Sequence, residues 1–380
     1  MGAILPPATL GILGGGQLGH MFVVAAKTMG YRVIVVDPDP AAPAARFADQ
    51  HICSSYADQQ ALHYLAGHCA AVTTEFENVD ADALRWLEQH ITVAPSADCV
   101  AIAQDRLIEK RWINESARLP TAPWLALTVL SDLDNDIASY LPGIIKTARL
   151  GYDGRGQHDV ATVDEVRDIW HSLGQIPCVL EKRLLLKAEV SVIASRTSRG
   201  DMALFPVAEN VHRVGILDMS VVPARLDSVL LEHLHLMTKK LICELNYVGV
   251  LAVEYFVQQN HEIVINEIAP RPHNSGHYSL DACVTDQFQQ QVRTLCGLPL
   301  GSTRLLQPCV MLNVLGDIWG EQGQEPPWQH VLEEPNAHLY LYGKTLARPK
   351  RKMGHVTVLS ETVDGAFKQA MTIKQALCSG

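Results

Sequence analysis

An α/β and α+β chain in three successive parts is predicted by three observations. Strand and helix signals alternate over the first hundred residues. From 144 to 269 the pattern changes to short strands with glycine turns and one long hairpin. After Gly297 and Pro299 the composition shifts again. The 380 residues suffice for two or three domains. With 48% apolar and 19% charged residues the chain can bury a core, which excludes a disordered or fibrous class.

The elements follow in order. Residues 9–13 form an apolar strand ending in Gly14-Gly15-Gly16, and 18–29 a helix closed by Gly30. Residues 32–36 are β-branched and stop at Asp37; 70–74 and 91–94 read as further buried strands, the last stopped by Pro95. Strands spaced by helices imply a parallel sheet with right-handed crossovers. Residues 96–115 read as one helix with Ser96 as its N-cap, leading into the second part. Strands are expected over 143–148, 179–183, 189–195 and 202–207. Residues 227–246 are amphipathic at helical spacing, with Leu230, Leu231, Leu234, Met237 and Leu241 on one face. Residues 250–257 and 263–269 form the hairpin. Strands over 310–315, 339–341 and 355–358, and a helix over 363–377, complete a small third part.

Charge and cysteine usage narrow the class. Thirty-one Lys and Arg against 41 Asp and Glu give a net charge of −10, the wrong sign for a general nucleic-acid binder. Nine scattered Cys, without CxxC or Cys/His ligand spacing, argue against a disulfide framework or structural zinc and fit a reducing cytoplasm. Residues 1–10 lack a basic segment and contain Pro6-Pro7, so neither a signal peptide nor a myristoylation signal is read. No apolar run reaches the roughly 18 residues of a membrane span. A soluble, cytoplasmic protein without nucleic-acid or membrane partners is expected.

Five constellations carry chemistry. Gly14-x-Gly16-x-x-Gly19 lies between a strand and a helix, with Asp37 ending the next strand. Such a turn offers free N–H groups to a phosphate, as in a dinucleotide fingerprint with Asp37 on a ribose; a tight turn without ligand fits equally. Gly151-Tyr152-Asp153-Gly154-Arg155-Gly156-Gln157 follows Lys146. A loop of this kind can fold over phosphates, with Arg155 facing charge and Asp153 an amine or metal, or it is an exposed hairpin tip. In the hairpin, a two-residue turn at Asn260-His261 sets Gln259 opposite Glu262 and Glu254 opposite Glu267. Like charges so opposed need a cation between them, and hard oxygen ligands point to magnesium. The segment Pro270-Arg271-Pro272-His273-Asn274-Ser275-Gly276-His277 offers donors for a small planar anion such as bicarbonate. Residues 344–352 hold five cations in nine positions, a phosphate site or a solvated loop.

Together these segments resemble the ATP-grasp superfamily and, within it, the N5-carboxyaminoimidazole ribonucleotide synthase family. The carriers are GILGGGQLG (11–19), TEFENV (74–79), Gln104-Asp105-Arg106 with Lys110, GYDGRGQ (151–157), ENVHRVGIL (209–217), VEYF (253–256), NEIAPRPHNSGH (266–277) and RKMGH (351–355). Lys350 departs from the resemblance, which has Gly there. The resemblance implies a Rossmann-like domain over 1–104, an ATP-grasp domain over 105–300 with a lid near 121–185, and a small β-rich domain over 301–380. It also implies a homodimer.

Residue roles follow from the resemblance alone. Arg106, Lys146 and the loop Gly151, Tyr152, Asp153, Gly154, Arg155, Gly156 and Gln157 should hold the triphosphate of ATP. Glu181, Lys182, Arg183 and Leu184 should take the adenine through backbone groups. Glu189 should contact the ribose, and His212 should line the nucleotide pocket. Glu254 and Glu267, with Asn266 beside them, match the magnesium positions. Arg155, Arg271, His273 and Asn274 should orient bicarbonate. Gln17, Leu18, Glu75, Asn78, Tyr152, Asp153 and Arg155 should line the 5-aminoimidazole ribonucleotide site, with Lys344 and Arg351 on its 5′-phosphate; Lys350 and Lys352 should point to water.

The implied reaction is ATP-dependent carboxylation of 5-aminoimidazole ribonucleotide with bicarbonate through carboxyphosphate, in purine biosynthesis, with Asp153 orienting or deprotonating the amine. An NAD-dependent oxidoreductase would share the first glycine motif but needs neither opposed glutamates nor a second glycine loop. Another ATP-grasp carboxylate–amine ligase would share the ATP site but not TEFENV or RKMGH. A nucleotide-binding regulator without turnover is the third alternative.

Overall fold

The computed structural model describes residues 2–151, 156–320 and 323–378. Five parallel strands open the chain: β1 (Thr9–Leu13), β2 (Arg32–Val36), β3 (Gln50–Ile52), β4 (Ala71–Thr74) and β5 (Thr92–Val93), in the order β3-β2-β1-β4-β5. Helices α1 (Gln17–Thr28), α2 (Gln59–His68) and α3 (Ala81–Glu88) cross between them. Leu10, Ile12, Val33 and Val35 are fully buried, as strands covered on both faces require. The crevice beside the carboxyl end of β1 lies where the strand order reverses, the place such sheets use for ligands.

The single helix expected over 96–115 is two. Ser96 caps α4 (Ala97–Ala103) as read, but the helix stops there. Asp105 caps a second helix, α5 (Arg106–Arg111), by accepting from the amides of Leu107 and Ile108. The Arg106 amide leaves for the carbonyl of Ala148, 2.9 Å away. An acid that caps from its own side chain competes with helix continuation, which composition alone does not reveal. The break re-aims α5, whose residues reach the active site.

A four-stranded antiparallel sheet follows, β6 (Trp124–Leu127), β7 (Gly143–Thr147), β8 (Gln157–Val160) and β9 (Cys178–Lys182), in the order β6-β9-β7-β8, with α6 (Val163–Ser172) packed on it. The largest sheet has nine strands among the described residues. It contains β10 (Leu186–Arg196), β11 (Met202–Leu204), β12 (Ala208–Arg213), β13 (Ile216–Val222), β14 (Gly249–Gln258), β15 (Ile263–Ala269), β16 (Cys309–Leu315), β17 (Ala337–Leu341) and β18 (Lys352–Leu359). Its order is β15-β14-β10-β12-β13-β16-β18-β17, with β11 beside β10. The third group of strands therefore extends the central sheet through the β13–β16 pair.

Helix α7 (Ser228–Glu244) covers the central sheet with Leu230, Leu234, Met237 and Leu241, the face its periodicity gives. The short α8 (Ser279–Ala282) precedes α9 (Gln287–Leu295), which buries Phe288, Val292 and Leu295 against the first sheet. The short α10 (Gln329–Leu332) and α11 (Val363–Cys378) close the C-terminal core.

The hairpin differs in a way that cancels. Gln258 donates its amide to the Glu262 carbonyl, so the loop has three residues, with His261 at φ 70°. Pairing then runs Val257 to Ile263 and Tyr255 to Ile265, one position off the expected register. A bulge at Asn266 restores it, and Glu254 lies opposite Glu267 as expected.

Asp37 has no place left for a ribose. Its carboxylate is buried and accepts from the Gly15 amide at 2.7 Å, the Tyr56 hydroxyl at 2.9 Å and the Asp39 amide at 2.8 Å. Asp37→Ala is expected to destabilise the fold by roughly 2–3 kcal/mol, because buried donors are left without an acceptor, and to leave ADP affinity unchanged. Urea denaturation and calorimetry measure the two; unchanged stability with weakened ADP would make Asp37 a nucleotide ligand instead.

Candidate active site

The N-terminal glycine turn already holds an anion, and it belongs to the chain. Glu75, just beyond β4, accepts from the amides of Gly16 at 2.7 Å and Gly19 at 2.5 Å. A Cβ on Gly16 would lie 2.5 Å from a Glu75 oxygen, so the glycines admit this carboxylate. Burial raises the Glu75 carboxyl to about 7, with Asp37 adding to the rise; the two amides and Arg271 pull it back. Two residues on, Glu77 grips Arg271 through Nε at 2.6 Å and Nη2 at 3.4 Å. This pair joins the first domain to the Pro270–His277 segment.

A cavity of about 770 Å³ opens above this turn. Gln17, Leu18, Glu75, Arg271, His273, Asn274, Lys344 and Arg351 all line it, so four distant stretches of sequence meet there. Arg348, Lys350 and Lys352 line it too. Lys350 and Lys352, expected to point to water, border the cavity beside Arg351, and Lys350 stays exposed. Lys350 adopts φ 67°, the left-handed region that favours the Gly of the resemblance. Lys344 Nζ reaches Gln17 Oε1 and the Lys352 carbonyl, each at 2.6 Å. Arg351 bonds the Leu346 carbonyl at 2.8 Å. Asn78 is exposed and lies outside this lining. Tyr152, Asp153, Gly154 and Arg155 lie outside the described residues.

His273 stands between this cavity and the opposed glutamates. Its Nε2 is 3.5 Å from Glu254 Oε1 and its Nδ1 2.8 Å from Ser275 Oγ. Gln287 of α9 fixes its backbone, accepting its N–H and donating to its C=O, both at 2.9 Å. Burial, then Arg271 and Lys352, push the imidazole well below its usual range, so it stands neutral. Asn274 is 4% exposed, and neither end of its amide has a partner among the described residues. Such a buried amide is ready for a small polar ligand.

Beyond His273, Glu254 and Glu267 face each other in buried surroundings. Burial and the charge of Glu267 raise Glu254 to about 7. Burial would raise Glu267 as well, but Arg106, whose Nη1 is 2.6 Å from Oε2, holds it at about 2. Asn266 Oδ1 is buried without a partner among the described residues. The donor set is all oxygen, as magnesium requires. No group of three His, Cys, Asp or Glu that could hold a metal is found among the described residues.

The cations of the nucleotide side are held by Glu181. Lys146 lies 2.9 Å from one oxygen and Lys110 3.0 Å from the other, all three side chains nearly or fully buried. Glu181 was expected to act through its backbone; its side chain is the counter-ion of both lysines. The amides of Lys182 and Arg183 donate to the carbonyls of Pro123 and Pro142, and Leu184 lies between β9 and β10. Gly151 accepts from Arg106 Nη2 at 3.4 Å, and Gly156 and Gln157 lead into β8. Glu189 and His212 meet at 2.8 Å. Burial lowers the His212 pKa, but Glu189, Glu254 and Glu267 outweigh it and raise it.

Sequence reasoning placed Arg106 but gave Glu109 and Lys110 no role, although positions three and four further along a helix share its face. Glu77 lay inside a quoted motif, and Arg348 inside the basic run.

Antiparallel sheets carrying paired carboxylates and buried lysines, joined to a parallel α/β first domain, mark an ATP-grasp enzyme. Residues 7–104 match the ribonucleotide synthetase preATP-grasp domain, 113–288 the ATP-grasp domain and 309–369 the phosphoribosylaminoimidazole carboxylase C-terminal domain. The N5-carboxyaminoimidazole ribonucleotide synthase of Bacillus subtilis is 42% identical over 362 residues, 95% of this chain and 94% of that protein. A solved N5-carboxyaminoimidazole ribonucleotide synthetase in complex with ADP superposes with a TM-score of 0.90 at 43% identity, covering 98% of this chain and 97% of that one. The Aspergillus clavatus synthase bound to ADP and 5-aminoimidazole ribonucleotide superposes with a TM-score of 0.88 at 28% identity, covering 98% and 99%. The chain belongs to the N5-carboxyaminoimidazole ribonucleotide synthase family. It is an ATP-dependent enzyme that carboxylates 5-aminoimidazole ribonucleotide in purine biosynthesis.

The Glu181 clamp makes a pH prediction. Burial raises its carboxyl, yet Lys146 and Lys110 bring it from 4.5 down to about 2. A depressed carboxylate stabilises the fold above its unfolded pKa and loses that contribution as pH falls toward the folded one. The stability difference between wild type and Glu181→Gln should therefore shrink by about 3 kcal/mol between roughly pH 5 and pH 2. Urea titrations at several pH values check it; a difference that stays constant would mean the lysines do not act on Glu181.

Proposed function

We propose that carboxylation proceeds from bicarbonate, activated by ATP as carboxyphosphate, with magnesium at Glu254 and Glu267. The opposition of these carboxylates beside Arg106, with His273 linking Glu254 to a cavity lined by the basic run, carries this reading.

Lys146 and Arg106 offer the positive charge a triphosphate needs, and the sheet β6–β9, with the loop after Lys146, serves as the lid over it. Bound magnesium would neutralise phosphate charge as two anions approach. Arg271, pinned by Glu77, Asn274 with its unpartnered amide, and neutral His273 hold bicarbonate next to that site. Bicarbonate oxygen bonds to the γ-phosphorus and the bond to ADP breaks. Carboxyphosphate then releases carbon dioxide and phosphate. The exocyclic amine of the ribonucleotide, held over Gln17, Leu18 and Glu75, adds to the carbon dioxide and loses a proton to Asp153. Exclusion of water by the lid protects the intermediate. Tyr152 and Arg155 complete the substrate wall in this reading, and Asn78 takes part only if its loop closes. Lys344 and Arg351 bind the 5′-phosphate. The active species is a homodimer in the cytoplasm. No helix among the described residues is long and apolar enough to cross a membrane, and all nine cysteines are free.

ADP release should need both bicarbonate and 5-aminoimidazole ribonucleotide for its full rate; omitting each in turn tests this, and full release without bicarbonate would sink the reading. Glu267→Gln should keep its circular-dichroism spectrum and lose turnover, and near-normal activity at ordinary magnesium would remove the paired-carboxylate site. Arg351→Ala should raise the Michaelis constant for the ribonucleotide at least tenfold, about 1.4 kcal/mol, with that for ATP unchanged. Steady-state kinetics decide; an equal rise in both would assign the basic loop to ATP or to the fold.

A further inference from the structure

The bulge at Asn266 is what puts Glu267 on the same face as Glu254. Without the extra residue the pairing of Tyr255 with Ile265 would continue, Asn266 would face Glu254, and Glu267 would point to the opposite face. β15 is an edge strand; its outer side is met at Ile265, whose amide donates to the Pro120 carbonyl at 2.8 Å, but no strand of the sheet covers the stretch beyond. Helix α5 supports that stretch at three consecutive residues. Lys110 Nζ reaches the Asn266 carbonyl at 3.4 Å, Arg106 the Glu267 carboxylate at 2.6 Å, and Glu109 Oε1 accepts the Ile268 amide at 2.6 Å. Glu109 is 2% exposed, and its bond is the shortest of the backbone contacts α5 makes here. It touches no expected ligand, yet it fixes the residue after Glu267.

We propose that Glu109 is a positioning residue, whose accepted hydrogen bond from the Ile268 amide holds the bulge and so presents Glu267 to the metal and the phosphates. This rests on the reading of Glu267 as a magnesium residue. What matters is an acceptor at that reach. Glu109→Gln keeps a carbonyl oxygen at the same distance. Glu109→Asp keeps the carboxylate but is one methylene too short.

The test measures ADP affinity by calorimetry with and without magnesium for wild type, Glu109→Gln, Glu109→Asp and Glu267→Gln, together with amide exchange at Ile268. Glu109→Gln should retain the magnesium-dependent gain within twofold. Glu109→Asp should lose at least fivefold of that gain, with magnesium-free ADP affinity within twofold of wild type and faster exchange at Ile268. A wild-type gain in Glu109→Asp, beside a lost gain in Glu267→Gln, overturns the positioning role alone. Equal losses in Glu109→Gln and Glu109→Asp overturn it too, since an acceptor kept at full reach would then not suffice. An unchanged gain in Glu267→Gln overturns the magnesium reading and this inference with it.

Discussion

Two carboxylates placed opposite each other in a buried site repel, and much of this structure answers that repulsion. Glu254 and Glu267 cannot both carry full charge there without cations. Arg106 bonds Glu267 directly, and His273 approaches Glu254. Around them a second ring of pairs holds three further cations: Glu181 between Lys110 and Lys146, Glu77 on Arg271. The site is thus charged but nearly balanced, and an incoming ion with phosphate oxygens exchanges one set of partners for another. That is less costly than burying new charge.

The same balance lets an acidic chain bind anions. At a net charge of −10 the molecule repels ATP and bicarbonate at long range. Screening over about 8 Å at physiological salt confines that repulsion, so five cations between 344 and 352, four of them arginine or lysine side chains beyond Lys344, can dominate locally. Glu75 has the opposite function. By occupying the amides of Gly16 and Gly19, it removes the phosphate site that the glycine turn would otherwise present. A dinucleotide fingerprint in sequence becomes an internal carboxylate cap in the fold.

The cavity is a product of connections between domains. Gln104 bonds the carbonyls of Glu77 and Val79, Gln287 holds His273, and Gln291 reaches Thr73 and Thr74 from α9. Buried glutamines serve here because each offers a donor and an acceptor without charge, so they can join backbone segments in a dry interior. Nothing in a run such as Gln-Phe-Gln-Gln-Gln signals this; polar residues at helical spacing read as surface.

The sequence by itself determined the types of the strongly periodic elements and the residue types gathered in the motifs. Strand and helix periodicities are local, set by side-chain spacing of two or about 3.6 residues, so β1, α1, β2, α7 and the β14–β15 hairpin were legible. The motifs carrying glycine, glutamate and the basic run were legible because their residue types are rare in such combinations. The break between α4 and α5, the three-residue loop, the bulge at Asn266 and the joining of β16 to β13 were decided only in the tertiary structure. Each is a choice between nearly equal local conformations, settled by partners far along the chain: Ala148 for the Arg106 amide, Glu109 for that of Ile268, Val221 for the pairing of Val310. The opposition of Glu254 and Glu267 belongs to both. The hairpin spacing implied it, but the fold reached it by one added loop residue and one bulge, because each shifts the pairing by one position and the two offsets together return Glu267 to the face of Glu254.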